Sequence, residues 1–231
     1  MIKGIVFDLD HTLFDRYATL RNVLPYMFGE LRAQINPSLT ENEFVERMVA
    51  ADRSDIHRGW RYVVNMLIEQ GVFLPGTEAE SVLDCLFNRC WPLSAVPFDF
   101  TEPTLVKLRG EGYKLGLITN GVHRHQQLKI DMLGIEHLFD EIIICGDIDA
   151  QKPDIKPFEE MSRRLGLPAG QLMYVGDNPR NDVDASRRAG YTPVWVRTTG
   201  SWIFDDIARA LYEVDTVAEL PQLVTKLNDT E

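Results

Sequence analysis

The sequence predicts an α/β fold, a doubly wound parallel sheet of Rossmann-like type with a smaller all-helical domain inserted in it. Three observations support that expectation. Apolar runs bounded by Gly, Asn or Asp recur at 3–8, 115–119, 141–145, 171–175 and 192–196, with a weaker one at 214–217; this is the pattern of buried strands. Helical patterns at 103–111, 122–133, 156–165 and 181–189 run up to Gly112, Gly134, Gly166 and Gly190, and glycine is the residue that most easily takes a left-handed helix stop. Strand and helix in alternation imply a parallel sheet covered on both faces. Residues 16–95 are the third observation: they carry no strand pattern, and 17–35, 41–51, 56–70 and 77–90 read as amphipathic helices. The expected organisation is therefore an α/β core of 1–15 and 96–231 around a helical domain at 16–95, with hinges near 14–17 and 91–97.

Composition narrows the function classes. A chain of 231 residues exceeds the usual ~100–150 residue domain, which suits a core plus an insert. The net charge of -11 and pI near 4.9 argue against nucleic acid, whose partners show a basic patch. No apolar run approaches the ~20 residues of a membrane span, and Asp8 and Asp10 stand where a secretion signal needs its apolar stretch. Cys85, Cys90 and Cys145 have no zinc-type spacing. These features lead us to expect a cytoplasmic monomer or homodimer that works on a small molecule and binds no membrane.

The chemistry is concentrated after the strands. The first runs directly into Asp8 and Asp10, spaced i, i+2, followed by Thr12; two ionised carboxylates cannot be buried unpaired, so the pair calls for a cation, a proton or both. The second is followed by Thr119-Asn120-Gly121, the segment before the 156–165 helix carries Lys152-Pro153, and the fourth is followed by Gly176-Asp177 with Asn181-Asp182 shortly after. Open parallel sheets bind ligands at the carboxyl ends of their strands, so these clusters are expected to share one place. Asp8, Asp177 and Asp182 there would repel one another by about 4 kcal/mol per pair at ~4 Å and an effective dielectric near 20. One lysine cannot neutralise that, whereas Mg²⁺ can, since it takes carboxylates, waters and phosphate oxygens. The Thr119 hydroxyl, the Asn120 backbone N–H and the Lys152 ammonium are donors suited to an oxyanion.

In this order and spacing the four clusters resemble the motifs of the haloacid dehalogenase superfamily, and 16–95 resembles the helical cap that one branch carries after its first motif. The resemblance implies a Mg²⁺-dependent hydrolase of a small phosphomonoester of sugar phosphate, nucleotide or acylneuraminate phosphate type. It implies Asp8 as nucleophile and Asp10 as general acid and base. It implies a Mg²⁺ held by Asp8, the Asp10 carbonyl and Asp177, with Asp182 supporting from behind, and Thr119, Asn120 and Lys152 on the phosphoryl group. His11 stands where the family most often has glycine and either meets the substrate or is tolerated on a surface turn.

Other members of the superfamily displace halide or move a phosphoryl group within a sugar, and a non-catalytic phospho-ligand binder is a further alternative. A halide leaves without a proton, so Asp10 weighs against the dehalogenase. In the helical insert, Arg53, His57, Arg58, Trp60 and Arg61 form a cluster from which Arg58 and Arg61 are candidates for specificity, against the plain reading of a charged helix face. His123 and His125 read as solvated helix surface, Cys85 and Cys90 as half-buried packing residues, and Trp195, Trp202 and Phe204 as closing the core.

Overall fold

The computed structural model describes residues 1–55, 58–199, 202 and 204–229. The chain forms two compact units, Met1–Asp15 with Pro97–Glu231, and Arg16–Val96. The first is built on six strands, β1 (Gly4–Phe7), β2 (Lys114–Thr119), β3 (Glu141–Ile144), β4 (Leu172–Gly176), β5 (Thr192–Val196) and β6 (Tyr212–Val214). They pair in the order β3-β2-β1-β4-β5-β6, and every pairing is parallel. The chain therefore builds outward from β1 on one side and then crosses back to add β4 on the other. That reversal beside the central strand opens a crevice at the carboxyl ends of β1, β2 and β4.

Period-two alternation places the core on both faces of the sheet. Ile5 and Phe7 pack with Leu105, Leu117 and Ile130 on one side, while Val6 packs with Ile118, Phe158, Met161 and Tyr174 on the other. Each fully buried side chain of this size contributes roughly 1.5–3 kcal/mol, which is why β1 tolerates no polar residue before Asp8.

The helices of this unit lie close to where periodicity puts them: Thr101–Gly110, His123–Leu133 and Lys156–Leu165. Gly134 and Gly166 close the last two in the left-handed conformation. Three differences have local causes. The 181–189 pattern divides into a π-helical turn at Pro179–Asp184 and a short helix at Ala185–Arg188, because the Asn178 side chain accepts the N–H groups of Arg180 and Asn181 and starts the turn earlier. The last strand lies earlier than 214–217, since Thr216 and Glu219 form a capping box that begins a terminal helix, Leu220–Asp229, with no counterpart among the expected elements.

The helical unit has its own core of Leu20, Leu24, Met27, Phe44, Met48, Val63, Leu67, Phe73 and Leu86. Its helices run Arg16–Glu30, Glu41–Asp55, Trp60–Glu69 and Ala79–Asp84, the last continuing as a π-helical turn through Cys90. The third begins after Gly59 at φ 79, four residues later than expected; Ile56 and His57 lie outside the described residues. A bidentate ion pair from Arg16 to the buried Asp52, at 2.6 and 3.0 Å, ties the first helix to the second. Among the described residues no helix is long and apolar enough to cross a membrane.

Candidate active site

Asp8 and Asp177 each stand one residue past the end of a central strand, β1 and β4, and Thr119 ends β2. Lys152 arrives from the loop after β3, where its peptide bond to Pro153 is cis. The Lys152 ammonium is buried and lies 2.7 Å from Asp8 Oδ1, 2.7 Å from Asp182 Oδ1, 2.7 Å from the Tyr174 hydroxyl and 3.2 Å from the Ile118 carbonyl. Burial opposes its charge, but Asp182 and Asp8 outweigh that and hold the ammonium well above the usual lysine value. The converse acts on Asp8: burial, only partly offset by Lys152, pushes its carboxyl up to about 7.

Oxygens of Asp8, Asp177 and Asp182 lie within 4.8 Å of one another, and all three residues are buried. Three carboxylates against one lysine leave an excess of two negative charges when all are ionised. Hard oxygen donors with uncompensated charge fit a divalent cation of the Mg²⁺ kind. Asp182 has a supporting environment: besides Lys152 it accepts the Asn178 N–H at 2.9 Å and the Tyr174 hydroxyl at 3.3 Å.

Gly176 is what lets Asp182 come so near. A Cβ there would stand 2.6 Å from Asp182 Cβ and 2.5 Å from its Oδ2. We expect Gly176→Ala to displace Asp182 and, through it, Lys152, costing about 1–3 kcal/mol of stability and about ten- to a hundredfold in turnover. A thermal melt and steady-state kinetics on one preparation check this, and unchanged kinetics would contradict it.

The Asn120 side chain is committed to the main chain of Lys152: its Oδ1 accepts the Lys152 N–H at 2.9 Å, and its Nδ2 donates to the Lys152 carbonyl at 2.8 Å. Any anion contact from Asn120 is thus left to its backbone N–H. The Thr119 hydroxyl accepts from Gln126, while its own proton is directed at the Asn120 carbonyl, at 3.5 Å. Asp10 sits apart from the Lys152 cluster, its carboxylate held by Gln126 and Lys129.

His11 is 3% exposed with φ 63, so the surface-turn alternative does not hold; its carbonyl accepts the Thr198 hydroxyl at 2.6 Å. Arg58 and Arg61 lie on the exterior of the helical unit. Arg58 is 3.5 Å from Asp55 and covers the Tyr62 ring, and Arg61 is paired with Glu80. His57 is outside the described residues. His123 is exposed and pairs with Asp147 at 2.8 Å. Cys85 and Cys90 are fully buried, not half-buried, with their sulfurs 3.8 Å apart.

Sequence reasoning missed several residues around the site. Tyr174 is the one hydroxyl in an otherwise apolar β4, and a buried tyrosine oxygen needs a partner, which was the available signal. Gln126 and Lys129 are i, i+3 on the helix after Gly121, so they share a face. Trp195 packs edge-on against Trp202, as core closure would have it, but its Nε1–H also donates to the Asp177 carbonyl at 2.7 Å; only the fold brings these two together.

Three acidic residues and a lysine converge at the switch point of this sheet, and the comparison with known families gives the class: residues 2–190 match the haloacid dehalogenase-like hydrolase family, to which the chain belongs. Among its relatives, a glyceraldehyde 3-phosphate phosphatase from Methanothermobacter thermautotrophicus is 36% identical over 209 residues, covering 86% of this chain and 87% of that one. A phosphoserine phosphatase from Thermus thermophilus is 37% identical over 224 residues, covering 84% and 88%. The solved structure of a haloacid dehalogenase-type phosphatase from Thermococcus onnurineus is similar at a TM-score of 0.66 and 28% identity, over 96% of this chain and 98% of that one.

Proposed function

We propose that this hydrolase is a Mg²⁺-dependent phosphatase that cleaves a small phosphomonoester through an aspartyl phosphate on Asp8. The observation that carries the reading is the Lys152 ammonium shared by Asp8 and Asp182, with Asp177 alongside and a fourth carboxylate, Asp10, held by Gln126 and Lys129. The names of the relatives support the same chemistry, because a glyceraldehyde 3-phosphate phosphatase and a phosphoserine phosphatase both act on phosphate esters of three-carbon compounds.

In the first step an Asp8 oxygen attacks phosphorus while the bond to the leaving oxygen breaks, and Asp10 gives that oxygen its proton. In the second, water attacks phosphorus, its proton passes to Asp10 and the Asp8–phosphorus bond breaks. Lys152, the Thr119 hydroxyl and the Asn120 N–H hold the phosphoryl oxygens; Asp182 and Tyr174 fix Lys152 in place. Asp8, Asp177 and the Asp10 carbonyl would hold Mg²⁺, which supplies positive charge for the phosphoryl oxygens and offsets the crowded carboxylates. The helical unit serves as a cap that excludes bulk water during transfer. A halide leaves without a proton, so a dehalogenase would give Asp10 no task. Three buried free cysteines suit a reducing, cytoplasmic setting.

The direct test is phosphate release with Mg²⁺ from glyceraldehyde 3-phosphate, phosphoserine, phosphoglycolate, sugar phosphates, nucleotides and an acylneuraminate phosphate. Turnover of one or more is expected, and silence of folded protein across the panel would overturn the reading. Asp10→Asn should lower kcat by roughly 10²–10⁴-fold on an alkyl phosphate, while the first-turnover burst of p-nitrophenol from p-nitrophenyl phosphate, whose leaving group needs no proton, is largely kept and the later hydrolysis of the aspartyl phosphate slows. A burst rate that falls as far as the alkyl kcat would contradict the acid role.

A further inference from the structure

On the reading that Asp10 is the acid and base, we propose that Lys129 and Gln126 are positioning residues that aim its carboxylate for both proton transfers. Lys129 Nζ donates to both Asp10 oxygens, at 2.8 and 3.0 Å, and Gln126 Nε2 donates to Asp10 Oδ2 at 3.0 Å. Both residues are buried, Gln126 4% and Lys129 6% exposed, whereas the Asp10 side chain keeps 24% exposure. The tether is thus rigid at its protein end and open at the carboxylate end.

An aspartate side chain has two free torsions, and one that must first give a proton and then take one has to return to the same place. Three hydrogen bonds from one helix face fix those torsions. Gln126 does more, since its amide nitrogen also donates to the Thr119 hydroxyl. The acid and base carboxylate and a phosphoryl-binding hydroxyl are thereby set against each other by one side chain. A Cβ on Gly121, at φ 128, would stand 3.2 Å from Gln126 Cγ, so the loop that follows Thr119 packs closely against that tether.

Stability alone is a weak account of this arrangement. Burying a lysine beside a carboxylate roughly breaks even against well-packed apolar residues, and the Lys129 ammonium, 5.5 Å from the centre of the Phe14 ring, lies where a methionine would also pack. What an apolar replacement cannot do is hold the two Asp10 oxygens in place.

The experiment compares wild type, Lys129→Met, Gln126→Leu and Asp8→Asn on p-nitrophenyl phosphate and on whichever of glyceraldehyde 3-phosphate, phosphoserine or phosphoglycolate the wild type turns over fastest. We expect Lys129→Met and Gln126→Leu to lose about ten- to a hundredfold in kcat on the alkyl ester, with KM within about twofold, while the first-turnover burst of p-nitrophenol, which needs no proton, is largely kept even though the shared hydrolysis of the aspartyl phosphate slows. The retained burst also reports the fold, and the ratio of the burst rate to the alkyl kcat is the readout. A kcat on the alkyl ester unchanged in both variants, or a burst rate that falls as far as the alkyl kcat in folded protein, would overturn the proposal. Should Lys129→Met lose its thermal transition, the same ratio for Gln126→Leu decides. If Asp8→Asn is inactive while the ratio stays put, the proposal falls and the phosphatase reading stands. If Asp8→Asn hydrolyses both esters like wild type, or the wild type is inert to both, that reading fails and takes the proposal with it.

Discussion

Asp8→Asn should abolish phosphate release on every ester, a fall on the order of 10⁴-fold or more. The substitution keeps the shape of the side chain and removes the anion that attacks phosphorus. The neighbouring carboxylates have other engagements: the Asp182 oxygens accept from Lys152, Tyr174 and the Asn178 N–H, and Asp10 accepts from Lys129. Quantifying inorganic phosphate with purified wild type and variant side by side decides the matter, provided the variant melts cooperatively. Mass spectrometry of acid-quenched wild type should show a phosphoryl adduct on the peptide containing Asp8, absent from the variant. Turnover near the wild-type rate in Asp8→Asn would remove Asp8 from the nucleophile's role.

The same substitution should stabilise the protein when metal is withheld. In the folded, metal-free chain Asp8 keeps its proton up to about 7, whereas an unfolded aspartate releases it near ~4. The stability that comes from holding this proton is fully present below the unfolded value and is lost as pH rises through the folded one. Above pH 7 the folded protein carries a buried charge it would rather not have, on the order of 2–4 kcal/mol, and asparagine avoids that cost. In chelator at pH 8 the variant should therefore melt about 5–10 °C above wild type, with the gap closing toward pH 4. Mg²⁺ should close most of that gap: at a hundredfold excess over its dissociation constant it adds about 2.7 kcal/mol to the wild type, and much less to a variant lacking one anionic ligand. Matched melting curves with and without Mg²⁺ at the two pH values provide the check. Equal melting temperatures at pH 8 in chelator would contradict the raised carboxyl, and indifference of wild type to Mg²⁺ would contradict a metal at Asp8 and Asp177.

Both predictions lead back to residues that were legible at first reading. Asp8, Asp10, Thr119, Lys152, Asp177 and Asp182 each follow an apolar run or precede a helix, and a parallel sheet has one edge on which such residues can meet. Local signals were enough because the strands are short, apolar and punctuated by glycine, so periodicity left little choice of element. Where two signals competed, the expectation slipped. Asn178 caught two N–H groups and turned the start of a helix into a π-helical turn. Thr216 and Glu219 closed a capping box in a segment whose valines suggested a strand.

The alternating α/β core, the helical insert and the identities of the acidic residues and the lysine are each written in a contiguous stretch whose period or spacing has few readings. Which groups serve the site from a distance is settled by folding alone. Tyr174 reaches Lys152 across 22 positions, Lys129 reaches Asp10 across 119, and Trp195 meets the Asp177 carbonyl from a neighbouring strand. The reason is physical: a buried charge or hydroxyl must find a partner, but the partner is set by sheet order and helix packing, which bring together residues whose separation along the chain carries no trace of the contact.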